Sequence, residues 1–145
     1  MNEEIVSYVA GGKFADERGT VSFFNDFKMD AVKRFYIIEP INTDTIRAWQ
    51  GHRHEKKWFY VTTGSFRVAI IKPNDWQNPS RDLKPMVFGL SSLESMLLFV
   101  PAGHVTGFRA LEKGSKLIVF SDKTLDESKD DDFRFDVKMW ADVWE

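Results

Sequence analysis

Histidine is scarce in this chain, occurring only at His52, His54 and His104. Two of the three close the run Arg47-Ala48-Trp49-Gln50-Gly51-His52-Arg53-His54, just ahead of a strongly apolar segment that opens on Lys57. If the run is extended, a two-residue period puts Gln50, His52 and His54 on one face. An imidazole titrates near pH 6.5, so either histidine could carry a proton in a reaction at neutral pH. The plain alternative is a set of polar surface residues beside a turn. Lys57 heads an apolar strand and therefore needs a paired or exposed setting. In a site, its charge could stabilise an oxygen that becomes negative. Arg47 and Arg18 present the planar fork that suits phosphate oxygens. Salt bridges compete for both, to Asp16 or Asp26 for Arg18 and to Asp44 or Glu39 for Arg47. Tyr36 follows Arg34 by two residues, so the pair shares a strand face. Trp49, Trp58 and Tyr60 could stack on a sugar or a base. Aromatic residues at strand spacing more often fill a core, so at most one of the three is assigned to a ligand.

The histidine pair also raises metal binding. A metal site needs about four ligands, and His52 with His54 supplies only one pair. Lys57, close behind them, is a cation where an anionic ligand would be wanted, and it repels a metal. His104 offers partial compensation from a neighbouring turn. No metal and no cofactor is expected.

The elements that must position these residues read as short strands. Val21 to Phe24, Arg34 to Glu39, Ile46 to Trp49, Lys57 to Thr62, Phe66 to Lys72, Met86 to Leu90, Ser95 to Val100, Thr106 to Ala110 and Lys116 to Ser121 are rich in β-branched and aromatic residues. Gly11-Gly12, Asp16 to Gly19, Thr63-Gly64, Pro73 to Pro79, Pro101 to Gly103 and Lys113-Gly114 punctuate them, the pattern of an all-β barrel or sandwich. Thr63-Gly64-Ser65 predicts a tight hairpin. Phe66, Val68 and Ile70 alternate with Arg67 and Ala69, which predicts one buried face. Asn74 to Asp82 reads as a surface loop. An acidic tail over 122–132 has room for one short helix. The aromatic segment Phe133 to Trp144 should dock on the barrel or on a partner subunit.

With 145 residues, 43% of them hydrophobic, the chain fits one domain with one core. A net charge of −2 from well-mixed residues offers no nucleic-acid patch. Without cysteine there is neither a disulfide framework nor thiol catalysis. Met1-Asn2-Glu3-Glu4 is acidic with no apolar run behind it, so no signal peptide is expected. Met96 to Val100, the longest apolar stretch, is far too short for a membrane span. A soluble cytoplasmic protein follows as the expectation.

Gly51-His52-Arg53-His54-Glu55-Lys56-Lys57, followed by Gly64, resembles the first motif of the cupins. Val100-Pro101-Ala102-Gly103-His104-Val105-Thr106-Gly107-Phe108 resembles their second. The branch most resembled acts on dTDP-4-keto-6-deoxy sugars. Asp16-Glu17-Arg18-Gly19 is similar to the Asp-x-Arg-Gly motif of dTDP-4-dehydrorhamnose 3,5-epimerases. Leu90-Ser91 with Val100-Pro101, Gly103 and Gly107-Phe108 is similar to their Leu-Ser…Ile-Pro-x-Gly-x-x-His-Gly-Phe run. Lys33-Arg34-Phe35-Tyr36 and Arg47 to His52 resemble the Lys-Arg-x-Tyr and Arg-Gly-x-His-x-His runs of the 3,4-ketoisomerases. The resemblance covers nearly the whole chain.

It implies a single-domain cupin over 1–145, a double-stranded β-helix or jelly-roll barrel. It also implies a homodimer, in some members with exchanged N-terminal strands, and a nucleotide-linked keto sugar in the barrel mouth without a metal. The implied chemistry is proton abstraction beside a carbonyl by the His of Arg-Gly-x-His, with a cation or donor stabilising the enolate. In this chain that position is Gln50, whose amide has no useful basicity. The late acidic Tyr of the epimerases matches Phe120, and the His of their His-Gly-Phe run matches Thr106.

His52, matching the second family His, is the expected replacement base, with His54 beside it and Lys57 as electrostatic support. Arg47, Gln50, Tyr36, Arg18 and His104 are the expected substrate contacts. The activity implied is isomerisation or epimerisation of a nucleotide-linked 4-keto-6-deoxy sugar for surface polysaccharide. The alternative is a cupin that binds such a sugar without turning it over, and a metal-dependent cupin stands third.

Overall fold

In a computed structural model that describes residues 4–145, the apolar runs become the strands of two facing sheets. Met1, Asn2 and Glu3, on which the signal-peptide expectation partly rests, lie outside the described residues. In chain order the strands are β1 (Ser7–Ala10), β2 (Gly12–Asp16), β3 (Gly19–Phe23), β4 (Arg34–Ile38), β5 (Ile46–His52) and β6 (Lys57–Thr63). There follow β7 (Ser65–Ile71), β8 (Met86–Ser91), β9 (Met96–Val100), β10 (His104–Ala110), β11 (Lys116–Ser121) and β12 (Phe133–Arg134). One five-stranded sheet runs β1-β9-β6-β11-β4, the other β12-β5-β10-β7-β8, and β2-β3 forms a separate two-stranded ribbon. All pairings are antiparallel, and the architecture is an all-β jelly-roll barrel of cupin type. Among the described residues no helix is long and apolar enough to cross a membrane.

Alternation puts Phe59 and Val61 of β6, Phe66, Val68 and Ile70 of β7, and Leu117 and Val119 of β11 into the space between the sheets. Ala69, expected on an open face, is buried as well. The outer face of β7 is covered by the C-terminal segment, whose Met139, Trp140 and Trp144 pack with Ala69, Ile71 and Trp49. A strand buried on both faces loses its alternating signature.

The turn at Thr63-Gly64-Ser65 corrects one expectation. It is tight and Gly64 has φ +75°, but β6 and β7 belong to different sheets. The turn is an arch over the barrel edge rather than a hairpin. A Cβ at Gly64 would sit 2.0 Å from Ser115 Oγ, so the close approach needs glycine as much as the backbone angle does.

The acidic tail forms α1 (Leu125–Lys129), started by a capping box in which Thr124 and Glu127 bond each other's backbone N–H. Beyond it the chain returns as a strap, with β12 on the edge of β5.

Candidate active site

A cavity of about 500 Å³ opens between the sheets at the β5 end of the barrel. Its wall takes Tyr36 from β4, Arg47 and Gln50 from β5, Lys57 from β6, Thr106 from β10, Val119 from β11, and Arg134 with Phe135 from the strap. Register explains two of these neighbours, since Thr106 lies directly opposite Gln50. One pair further on, Gly107 faces Ala48, so Trp49 is skipped in a bulge. Trp49 has the Trp140 and Trp144 rings at 5.4 and 5.5 Å. A bulge re-aims side chains in this way.

Lys57 is almost wholly buried, at 4% exposure. Burial pushes its amine down to about 8, against the pull of the Glu55 carboxylate, with Arg34 and Arg134 adding to the depression. Its Nζ lies 6.0 Å from the centre of the Tyr36 ring, and the Arg34 guanidinium lies 5.0 Å from the same ring. The Tyr36 phenol is pushed up to about 12 by burial and then by Glu55, so it stays protonated and keeps a proton to donate. Gln50 donates its amide to Asp132 at 3.2 Å. Asp132 is held below the usual carboxylate range: burial pulls the other way, but hydrogen bonds from Arg134 and Gln50 prevail. Arg47 is exposed at the mouth, and Asp44, a competitor for it in sequence, pairs with Arg109 instead at 3.9 Å.

The remaining expected site residues stand elsewhere. His52 is buried but is not part of the cavity wall. Its Nδ1 hydrogen-bonds the Asp131 carbonyl, which only accepts, so that nitrogen carries the proton. Its Nε2 is buried without a protein partner. Burial first, then the Lys57 charge, holds the ring below the ordinary histidine value. His54 does not share a face with His52, because β5 ends at His52 and the chain bends outward, leaving His54 exposed. His104 faces His52 across the ladder and bonds the carbonyls of Pro101 and Ala102, both at 3.1 Å, away from the cavity. Arg18 sits on the β2-β3 ribbon, clasped to Asp16 at 2.6 Å, and lines only a shallow groove there. Phe120 faces outward onto Phe27 and Phe35, so the β11 residue at the cavity is Val119. Among the described residues no three His, Asp or Glu side chains gather closely enough to hold a metal ion.

Sequence reasoning missed Glu55, Asp131 and Arg134. Glu55 has a side chain at 0% exposure behind Lys57, and Asp131 accepts the backbone N–H groups of Arg53, His54 and Glu55 at 2.7–3.0 Å. The one available signal was that an acid directly after His-x-His, at the head of a buried strand, must find partners inside.

No family model and no curated sequence matches the chain. Solved structures do. A 3,4-ketoisomerase from Thermoanaerobacterium thermosaccharolyticum, in complex with TDP, superposes with a TM-score of 0.72 at 20% identity, covering 96% of this chain and 90% of its own. A dTDP-4-dehydrorhamnose 3,5-epimerase from Bacillus anthracis, with TDP and PPi bound, gives 0.71 at 18% identity, over 88% of this chain and 76% of its own. The chain has the fold of the dTDP-sugar ketoisomerases and epimerases. A 3'-monoepimerase from Streptomyces bikiniensis, with dTDP-quinovose, extends that fold family at a TM-score of 0.75 and 10% identity, over 95% of this chain and 72% of its own. As a member of this fold, the chain departs from the expected pattern where Gln50 and Thr106 stand side by side on the cavity wall.

Proposed function

We propose that the cavity binds a nucleotide-linked 4-keto-6-deoxy sugar and moves a proton beside its carbonyl, with Lys57 in the role that Gln50 cannot fill. The observation that carries this reading is a buried amine on the cavity wall held at about 8, inside the range a general base needs. The neutral amine takes the proton from the carbon next to the carbonyl. The C–H electron pair becomes the enolate double bond, and negative charge settles on the former carbonyl oxygen. Tyr36 and the new Lys57 ammonium stabilise that oxygen. Arg47 and Arg134 at the mouth suit the diphosphate. His52 and His54 are withdrawn as bases, since neither lines the cavity.

Returning the proton to the former carbonyl carbon on the same face, while the hydroxyl proton of the deprotonated carbon passes to the former carbonyl oxygen, moves the carbonyl and needs a carbon base on one face only. Epimerisation needs a donor on the opposite face, and β11 offers Val119 there. Carbonyl migration is therefore the favoured chemistry. A role in surface polysaccharide synthesis and a cytoplasmic location go with it. Binding without turnover is the second reading, supported by the Gln50 amide tied to Asp132.

Incubation with dTDP-4-keto-6-deoxyglucose in D2O, followed by NMR, should show deuterium entering beside the carbonyl. The rate should rise with pH through about 8, because the base works only when unprotonated. Unlabelled sugar that nonetheless binds would leave the second reading standing.

The homodimer reading rests on the outer face of β4, where Phe35 and Ile37 are 61% and 59% exposed. An apolar surface of that kind marks an interface. Sedimentation should give twice the 16.8 kDa chain mass, and Phe35→Asp should give the monomer.

A further inference from the structure

The cavity's amine has a buried counter-charge behind it that the proposed reaction does not yet use. Glu55 is fixed by two hydroxyls from different elements: Ser121 of β11 donates to Oε2 at 2.8 Å, and Ser128 of α1 donates to Oε1 at 2.6 Å. The Glu55 backbone N–H is tied to Asp131 at 3.0 Å. A carboxylate so held cannot swing toward solvent. Around it stand Arg34 at 3.6 Å, His52 Nδ1 at 3.6 Å and Lys57 Nζ at 3.9 Å.

We infer that Glu55 is the positioning residue for Lys57: its buried carboxylate, pinned by Ser121 and Ser128, anchors the amine at the cavity wall and is the counter-charge beside which the amine holds an abstracted proton.

The inference rests on the reading of Lys57 as the base. Three features support it. First, a buried carboxylate with no cation would be costly, so partners are obligatory, and Arg34 and Lys57 are the two charged ones. Second, Arg34 also donates to the Lys123 carbonyl at 3.2 Å, which leaves Lys57 as the cation free to exchange its proton. Third, the base must become an ammonium in mid-reaction inside a low-dielectric cavity. A fixed anion within 4 Å stabilises that state without any rearrangement.

The groups facing Lys57 are Arg34 and Tyr36 on β4, His52 on β5, Glu55 in the loop before β6, and Asp132 and Arg134 on the strap. Among them Glu55 is the strongest influence favouring the charged amine. Removing its charge should therefore make Lys57 harder to protonate.

The test is NMR titration of lysine-labelled protein, with Lys57 identified by its absence from Lys57→Met. In Glu55→Gln, the Lys57 titration should fall by about one pH unit or more. In Glu55→Asp, which keeps the charge but withdraws it by one methylene, it should fall by less. In the turnover assay, the rising limb of the pH–rate profile should move down by the same amounts, with kcat reduced and KM little changed. A purely structural Glu55 would leave both the titration and the limb where they are in the wild type, and that result overturns the inference. If Glu55→Gln fails to fold, Glu55→Asp decides alone, and an unshifted Lys57 is the adverse outcome. The titration needs no substrate. Absence of turnover with a shifted titration therefore counts against the reaction and not against this positioning role. Turnover whose limb ignores Glu55 counts against the positioning role and not against the reaction.

Discussion

Lys57→Met will reduce turnover of a dTDP-4-keto sugar by about 10²–10⁴-fold, the range a positioned general base contributes. Affinity for TDP should change by less than about threefold, well under 1 kcal/mol. The asymmetry follows from where the residue sits. Lys57 is in the depth of the cavity against Tyr36, whereas the cations suited to a diphosphate, Arg47 and Arg134, stand at the mouth. Methionine has nearly the length of the lysine stem and no charge to bury, so the wall keeps its shape. Glu55 keeps Arg34, Ser121 and Ser128, so it is not left as an unpaired buried charge. Steady-state kinetics with calorimetric titration of TDP check both halves. Unimpaired turnover in a folded Lys57→Met would remove the amine from the mechanism, and lost TDP binding would show it to be a ligand contact.

Why the amine and not a histidine was hard to read from sequence comes down to where β5 stops. A two-residue period carried through His54 puts Gln50, His52 and His54 on one face. The strand in fact ends at His52, because Asp131 captures the next three backbone N–H groups and turns the chain outward. That capture comes from 76–78 residues downstream, and no local propensity reports it. The barrel strands were legible because β-branched and aromatic runs between glycine and proline turns are a local signal. β1 and β2 were missed because one is a short edge strand and the other begins in Gly11-Gly12, which reads as a break. Tyr36, Arg47, Gln50 and Lys57 reach one wall from three strands, but alternation alone puts Arg47 and Gln50 on opposite faces, and it is the bulge at Trp49 that lets both line the cavity. Arg134 was out of reach, since it arrives on a two-residue strand whose place depends on tertiary packing. Phe120 shows the sharpest cost of reading by motif: a displacement of one residue moves a side chain to the other face of the sheet.

The same strap carries the largest expected loss of stability. Trp49→Ala should cost about 3–5 kcal/mol, the range for truncating a large buried aromatic. Trp49 is 2% exposed, its indole N–H donates to the Met139 carbonyl at 2.6 Å, and its ring meets both Trp140 and Trp144. Removing it opens a void under the strap and strands the Met139 acceptor. The backbone pairing of Trp49 with Phe135, at 3.2 and 3.3 Å, then has to hold the strap with little apolar support. At roughly 2–4 °C per kcal/mol for a chain of this size, the melting temperature should fall by about 10 °C. Activity should fall further than the folded fraction does, because the strap brings Arg134 and Phe135 to the cavity and Asp131 to the loop that carries Glu55. Trp49→Phe keeps most of the ring contact and loses the hydrogen bond, so it separates packing from the donor and should cost about 1–2 kcal/mol. Thermal melts beside kcat at a temperature where both variants remain folded decide it. A Trp49→Ala protein that melts near the wild type, with its turnover intact, would mean that the strap neither stabilises the barrel nor builds the site.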